Sequence, residues 1–226
     1  MGSGKIKALV FDAYGTLFDV HSVAVLAEQL YPGQGSDLSR IWRESQLQYT
    51  WLRSLMGRYE DFEKVTSDAL AFACQKLELD LTAAKRARLM DAYHALATFP
   101  EVKDALGALP AVPLAILSNG SPSMLEAVVN NSGLGSTLVP IISVDEVKIY
   151  KPSPKAYQLA VEKLNMSDPG EIGFVSSNGW DVAGAASFGL TTYWINRTGA
   201  PMEELGLKPA SVLHKLTDLA DALKPS

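Results

Sequence analysis

Five short apolar runs rich in β-branched residues punctuate the chain: Ile6–Phe11, Leu114–Leu117, Ile141–Val144, Ile172–Val175 and Thr191–Ile195. Turn-forming residues bound most of them, and this pattern predicts buried strands. From Leu114 onward the segments between strands carry apolar residues at i, i+3 and i+4, which predicts helices over Ser123–Asn131, Pro154–Leu164 and Val182–Phe188. Gly133 and Gly189 lie just past two of these helices, where a left-handed stop is expected. Pro154 falls where a first helical turn accepts a missing N–H. Strand–helix alternation of this kind implies a parallel sheet with helices on both faces.

Between about His21 and Thr98 the pattern changes. No strand is predicted there. Ser22–Tyr31, Ser36–Met56, Tyr59–Leu77 and Thr82–Ala97 read as four amphipathic helices, broken apart by Pro32-Gly33-Gln34-Gly35 and by Gly57. The expected fold class is therefore α/β. A Rossmann-like parallel-sheet core (residues 1–20 and 99–226) carries a helical, four-helix-bundle-like cap (residues 21–98) inserted after strand one.

Bulk properties narrow the function classes. A chain of 226 residues suffices for one domain with a large insertion. Its formal net charge of −5 argues against nucleic acid as a partner, because neutralising phosphates needs a basic face. The same balance gives no attraction to an anionic membrane, and no apolar run is long enough to span one. Met1-Gly2-Ser3-Gly4-Lys5 lacks the apolar core of a secretion signal. The single Cys74 excludes an internal disulfide and a multi-cysteine zinc site, and suits the reducing cytoplasm expected for the chain. His21, His94 and His214 show neither metal spacing nor a nucleophile partner.

Four polar clusters fall at or near predicted strand ends: Asp12-Ala13-Tyr14-Gly15-Thr16, Ser118-Asn119-Gly120-Ser121, Lys151-Pro152, and Ser176-Ser177-Asn178-Gly179-Trp180-Asp181. Taken singly, each also reads as a turn, a helix cap or a solvated charge. Parallel strands all end on one edge, so together the clusters should converge in one crevice.

These clusters resemble the four motifs of the haloacid dehalogenase superfamily. The branch most similar is that of the L-2-haloacid dehalogenases, through Phe11–Val20, Trp42-Arg43, Tyr49–Met56, Ala115–Pro122, Tyr150-Lys151-Pro152, Phe174–Asp181 and Trp194–Gly199. The resemblance implies a nucleophilic Asp12 that attacks the halogen-bearing carbon and forms an enzyme ester. It implies that Thr16 and Ser176 hold Asp12 and Lys151 by hydrogen bonds. Lys151 lowers the repulsion between Asp12 and an anionic substrate, and Asp181 with Asn178 orients or activates the water of the second step. Arg43 and Asn119 match halide-binding positions; Ser118 and the N–H groups of Ala13 and Tyr14 match those for the substrate carboxylate. Tyr14, Leu47, Phe62 and Trp180 match the apolar wall. The implied partners are a small 2-haloacid, a halide ion and a second copy of the chain as a homodimer. Tyr14 and Ser177 stand where phosphatases of the superfamily carry aspartates, so no metal and no cofactor are expected. The alternatives are a Mg²⁺-dependent phosphatase of the same fold, or a catalytically inactive binding protein that keeps the pocket. Trp51 and Phe72 are expected to pack between insertion helices or against another subunit.

Overall fold

The computed structural model describes residues 6–224. Met1–Lys5, read above for targeting signals, lies outside them, as do the last two residues of the expected core. The elements run β1 (Ala8–Phe11), α1 (Ala24–Leu30), α2 (Gly35–Leu55), α3 (Phe62–Lys76), α4 (Ala83–His94), α5 (Val102–Gly107), β2 (Leu114–Ser118), α6 (Pro122–Ser132) and β3 (Ile141–Ser143). Then follow α7 (Pro154–Lys163), β4 (Ile172–Ser176), α8 (Gly179–Phe188), β5 (Thr191–Ile195), β6 (Ser211–Leu213) and α9 (Leu219–Ala222).

The six strands form one parallel sheet in the order β3-β2-β1-β4-β5-β6. Its central strands β1 and β4 are buried at every position, which is why they read as continuous apolar runs rather than as alternations. The chain builds outward from β1 through β2 to β3, then returns to the other side of β1 for β4. That reversal leaves a crevice beyond the carboxyl ends of β1 and β4, where open α/β sheets place ligands. The pairing Phe11↔Val175 puts Asp12 beside Ser176 across it.

Helices α1 to α5 all lie between β1 and β2. The four helices predicted for the insertion are present; α2 starts one residue early, at Gly35, the other starts and all four ends are trimmed, and local chemistry explains where α3 and α4 begin. Asp61 and Thr82 are N-caps whose side chains accept the Lys64 and Lys85 N–H groups, so α3 and α4 begin one residue later. Gly133 and Gly189 end α6 and α8 in the left-handed region, as their positions predicted. Four features were not predicted, the short α9 among them. β6 is three residues long and too short for a periodic signal. α5 buries Val102, Ala105 and Leu106 in a single turn and a half. Val144 leaves β3 for a 3₁₀ turn because the Ser143 hydroxyl accepts the Asp145 N–H.

Candidate active site

Asp12 is the first residue past β1, and its N–H donates to the Val175 carbonyl at 2.9 Å. Gly15, at φ +89°, turns the chain back so that Thr16 faces Asp12. The two carboxylate oxygens of Asp12 have unequal partners. Oδ2 accepts from Thr16 Oγ1 at 3.1 Å and from Asn178 Nδ2 at 2.8 Å. Oδ1 accepts from Lys151 Nζ at 3.1 Å. The same ammonium donates to Asp181 Oδ2 at 2.9 Å, so one cation joins two carboxylates.

All three groups are buried: Lys151 is 1% exposed, Asp181 0% and Asp12 6%. Burial pulls the Lys151 pKa down, but Asp12 and Asp181 outweigh it, and the net shift is upward. Burial raises the Asp181 pKa to about 6, with Lys151 opposing and Asp12 assisting. Tyr157 completes the set, donating its hydroxyl to Asp181 Oδ1 at 2.7 Å. The loops hold this geometry through the backbone: Lys151 N–H donates to Asn119 Oδ1 at 3.0 Å, and Asp181 sits in the first turn of α8.

In front of Asp12 lies a narrow cleft with a free volume of about 10 Å³, lined by Asp12, Tyr14, Arg43, Leu47, Phe62, Ser118, Asn119, Asn178 and Trp180. The structure thus brings together every side chain expected to touch substrate. Ala13, Thr16, Lys151, Ser176 and Asp181 are buried alongside. The Ala13 and Tyr14 N–H groups have no acceptor among the described residues. Tyr14 Oη, Asn119 Nδ2 and Trp180 Nε1 are buried polar atoms with no partner. Buried donors are ordinarily satisfied, so a cluster of unpaired ones marks a place for an acceptor. Burial pushes the Tyr14 phenol well above 10, so it stays neutral. Arg43 reaches over from α2, donating through Nη1 to Gln46 Oε1 at 2.7 Å and through Nη2 to the Tyr14 carbonyl at 3.2 Å.

Some expectations change in detail. Ser176 does not hold Asp12 or Lys151; its hydroxyl accepts the Asn178 N–H at 3.1 Å and shapes the turn. Asn178 is directed at Asp12 Oδ2 and at the Tyr14 carbonyl rather than at Asp181. Trp51 leaves the insertion's interior and packs edge-on against Trp180, ring centroids 5.4 Å apart. Phe72, by contrast, meets Tyr49 of α2 at 6.0 Å, between insertion helices as expected, and is 40% exposed.

Sequence reasoning missed three contributors. Tyr157 sits on an apolar helical stripe and reads as packing. Gln46 lies on α2 with no motif around it. Arg197 stacks on Phe99 and donates to Glu101 Oε1, Ser177 Oγ and the Thr16 carbonyl at 2.8, 2.8 and 3.0 Å, bracing two of the strand-end loops.

The donor set does not fit a divalent cation. Among the described residues no three His, Cys, Asp or Glu side chains cluster. The space between Asp12 and Asp181 is taken by the Lys151 ammonium, and Ser177 faces a guanidinium.

Comparison with known proteins bears on the family and the fold. Residues 6–189 match the haloacid dehalogenase-like hydrolase family. The (S)-2-haloacid dehalogenase of Pseudomonas sp. (strain YL) is 52% identical over 90% of this chain and 88% of its own length. The crystal structure of the L-2-haloacid dehalogenase RSc1362 superposes with a TM-score of 0.96 at 47% identity, covering 98% of this chain and 100% of that one. The L-2-haloacid dehalogenase from Xanthobacter autotrophicus, solved with chloropropionic acid covalently bound, superposes with a TM-score of 0.91 at 41% identity, over 96% of this chain and 98% of that one. The chain belongs to the haloacid dehalogenase-like hydrolases and, within them, to the (S)-2-haloacid dehalogenases.

Proposed function

We propose that the chain hydrolyses short L-2-haloalkanoic acids to D-2-hydroxy acids, with inversion, through an ester on Asp12. Its relatives carry (S)-2-haloacid dehalogenase names, and the Xanthobacter autotrophicus structure has chloropropionic acid covalently bound. The observation that carries the reading is the unequal environment of Asp12. Among the described residues Oδ2 is tied by two donors and Oδ1 meets only Lys151, so Oδ1 keeps the more available lone pair.

In this reading Oδ1 attacks the α-carbon in line, and the halide leaves with the bonding electrons. Arg43 and the unpaired Asn119 amide receive it; Arg stays charged across the working pH range. The substrate carboxylate meets Ser118 and the free Ala13 and Tyr14 N–H groups. Leu47, Phe62 and Trp180 keep water off the alkyl group, which strengthens each charge interaction inside. In the second step water attacks the ester carbonyl carbon. Asp181 takes its proton, and the charge that develops on Oδ2 is met by Thr16 and Asn178, already in place. Collapse breaks the Cγ–Oδ1 bond, Asp181 returns its proton to the departing alkoxide oxygen, and Asp12 is restored as a carboxylate while the hydroxy acid leaves.

The test is halide release from chloro-, bromo- and fluoro-acids of both chiralities with a chelator present. It is paired with a single turnover in ¹⁸O water at excess enzyme. The expected result is metal-free turnover of the L acids, with label retained on the protein. Label in the product and none on Asp12 would overturn the ester. Activity that the chelator removes would favour a Mg²⁺-dependent reaction.

A homodimer in the cytoplasm completes the proposal. Leu55 and Met56 at the end of α2 are 84% and 61% exposed, apolar area that a second copy would cover. Sedimentation of a Leu55→Glu variant as a monomer, beside a dimeric parent, is the expected outcome. Cell fractionation tests the compartment; its support is the single, buried and unpaired Cys74.

A further inference from the structure

Gln46 is a fully buried polar residue on α2 that the reaction scheme above does not use. Its amide orientation follows from its neighbours. The Phe62 carbonyl can only accept, so the Thr66 hydroxyl spends its proton there, at 2.6 Å. Thr66 Oγ1 is then left to accept, and it does so from Gln46 Nε2 at 2.6 Å. The amide oxygen therefore points the other way. There Oε1 receives Arg43 Nη1 at 2.7 Å and the Tyr93 hydroxyl at 3.0 Å. A flipped amide would set an NH₂ against a guanidinium and leave the Tyr93 proton unmatched.

The surroundings hold this arrangement rigid. Trp42 Nε1 donates to the Thr66 carbonyl at 2.8 Å. The Tyr93 ring lies between Tyr14 and Trp42, with centroids 5.8 and 5.2 Å away. Tyr14 in turn lends its carbonyl to Arg43 Nη2 at 3.2 Å. Arg43 is thus fixed at both terminal nitrogens, once within α2 and once across to the loop after β1. Its remaining N–H groups are free to serve the cleft it lines.

We propose that Gln46 is a positioning residue that sets the Arg43 guanidinium for the departing halide, through an amide locked by Thr66 and Tyr93. A neutral acceptor is required there. It fixes the plane of the guanidinium and leaves its positive charge uncompensated. A carboxylate at the same place would fix the plane and cancel the charge. This inference rests on the halide role proposed for Arg43.

The experiment compares 2-chloro- and 2-bromopropionate in single turnovers at excess enzyme, scored by halide released. Chloride is the poorer leaving group, so weakened stabilisation of the halide slows the chloro acid more. Gln46→Glu keeps the shape and both acceptor contacts. Its chloride release should be about 10–100-fold slower, the loss of one well-placed transition-state interaction, with a raised bromo-to-chloro ratio and a lower melting temperature, because the second carboxylate oxygen meets Thr66 Oγ1 with no proton between them. Gln46→Leu should raise the ratio as well, with a lower melting temperature. Tyr93→Phe removes one of the two groups that lock the amide and should raise the ratio too, by less than Gln46→Leu. Arg43→Lys separates the two proposals. If it changes the ratio and neither Gln46 variant does, the positioning role is wrong. If it leaves the ratio unchanged, the halide assignment itself fails.

Discussion

Replacing Lys151 by Met tests the centre of the site, because it removes one charge from a cluster of three. The ammonium lies 3.1 Å from one Asp12 oxygen and 2.9 Å from one Asp181 oxygen. At an effective dielectric near 20 each contact represents about 5 kcal/mol of gross attraction. Desolvation of three buried groups offsets most of it. Losing one partner of a buried pair still costs about 3–5 kcal/mol, because the partner is left uncompensated. Met matches the stem of Lys, so no large cavity adds to this. For a chain of 226 residues that loss lowers the melting temperature by roughly 6–20 °C.

The pH dependence is the sharper signature. Asp181 already titrates near 6 in the native protein, above its ordinary 3.8. Without Lys151 its proton is held to higher pH. Above pH 6 the folded variant then carries about one proton more than the native fold, and that difference makes its stability fall relative to the native protein by about 1.4 kcal/mol per pH unit. From pH 6 to pH 8 the gap should widen by about 3 kcal/mol, and toward pH 5 it should narrow. Urea unfolding of both proteins at pH 5, 6, 7 and 8 measures it. Lys163→Met is the control: its ion pair with Glu146 is almost half exposed, so the loss should stay below about 1 kcal/mol at every pH. A Lys151→Met penalty that is flat across this range, or no larger than the control's, would refute the shared-cation reasoning.

Asp181→Asn should erase the acid limb of the kcat profile, along which the parent's carboxyl loses its proton and becomes a base; that limb should lie below pH about 6, because the ester removes the Asp12 charge that helps raise the free-enzyme value, and a limb that survives would assign it elsewhere. Asn178→Ala removes one of the two donors on Asp12 Oδ2, so ester hydrolysis should slow about 10²–10³-fold while halide release slows less. Mass spectrometry of the quenched enzyme should then find the Asp12 adduct accumulating. Gly120→Ala should cost about 1–3 kcal/mol and raise KM, because an added Cβ would stand 2.7 Å from the Tyr14 ring and 2.9 Å from Leu125. A melting curve and a KM matching the parent would show that the Tyr14 ring yields freely.

What was legible in the sequence and what was not divides along the range of the interactions. β1 and β4 are apolar on both faces, so their ends could be read to a residue or two, and with them the places of Asp12 and Asn178. Lys151 could be placed because it lies just ahead of α7, and Asp181 because it falls in the first turn of α8. The partners of these residues were a different matter. Tyr157 reaches Asp181 from the buried face of α7, where a tyrosine and a packing residue give the same pattern. Gln46 and Tyr93 meet across α2 and α4, 47 residues apart, and nothing local announces the contact. Ser176 was assigned its partner through the family resemblance; its short side chain instead closes the turn to Asn178. Short loops at strand ends carry a local signal, whereas a polar group that completes another's hydrogen bonds is defined only once the packing exists.

The charges around the cleft argue for the size of anion it takes. Asp12 and Asp181 bring two negative charges; Lys151 and Arg43 bring two positive ones. A phosphate monoester near neutral pH would add close to two negative charges, with no divalent ion to meet them, since Lys151 already fills the space between the carboxylates. A 2-haloacid adds one. Once Oδ1 has formed its ester, Asp12 is neutral, and the site then holds Lys151 and Arg43 against Asp181, the substrate carboxylate and the halide. The departing halide is the only one of those anions not covalently held, so its exit restores the balance. After it leaves, Asp181 is the remaining carboxylate able to take a proton from water. The order of events, displacement before hydrolysis, therefore follows from where the fixed charges stand, and it uses cations that the chain itself supplies.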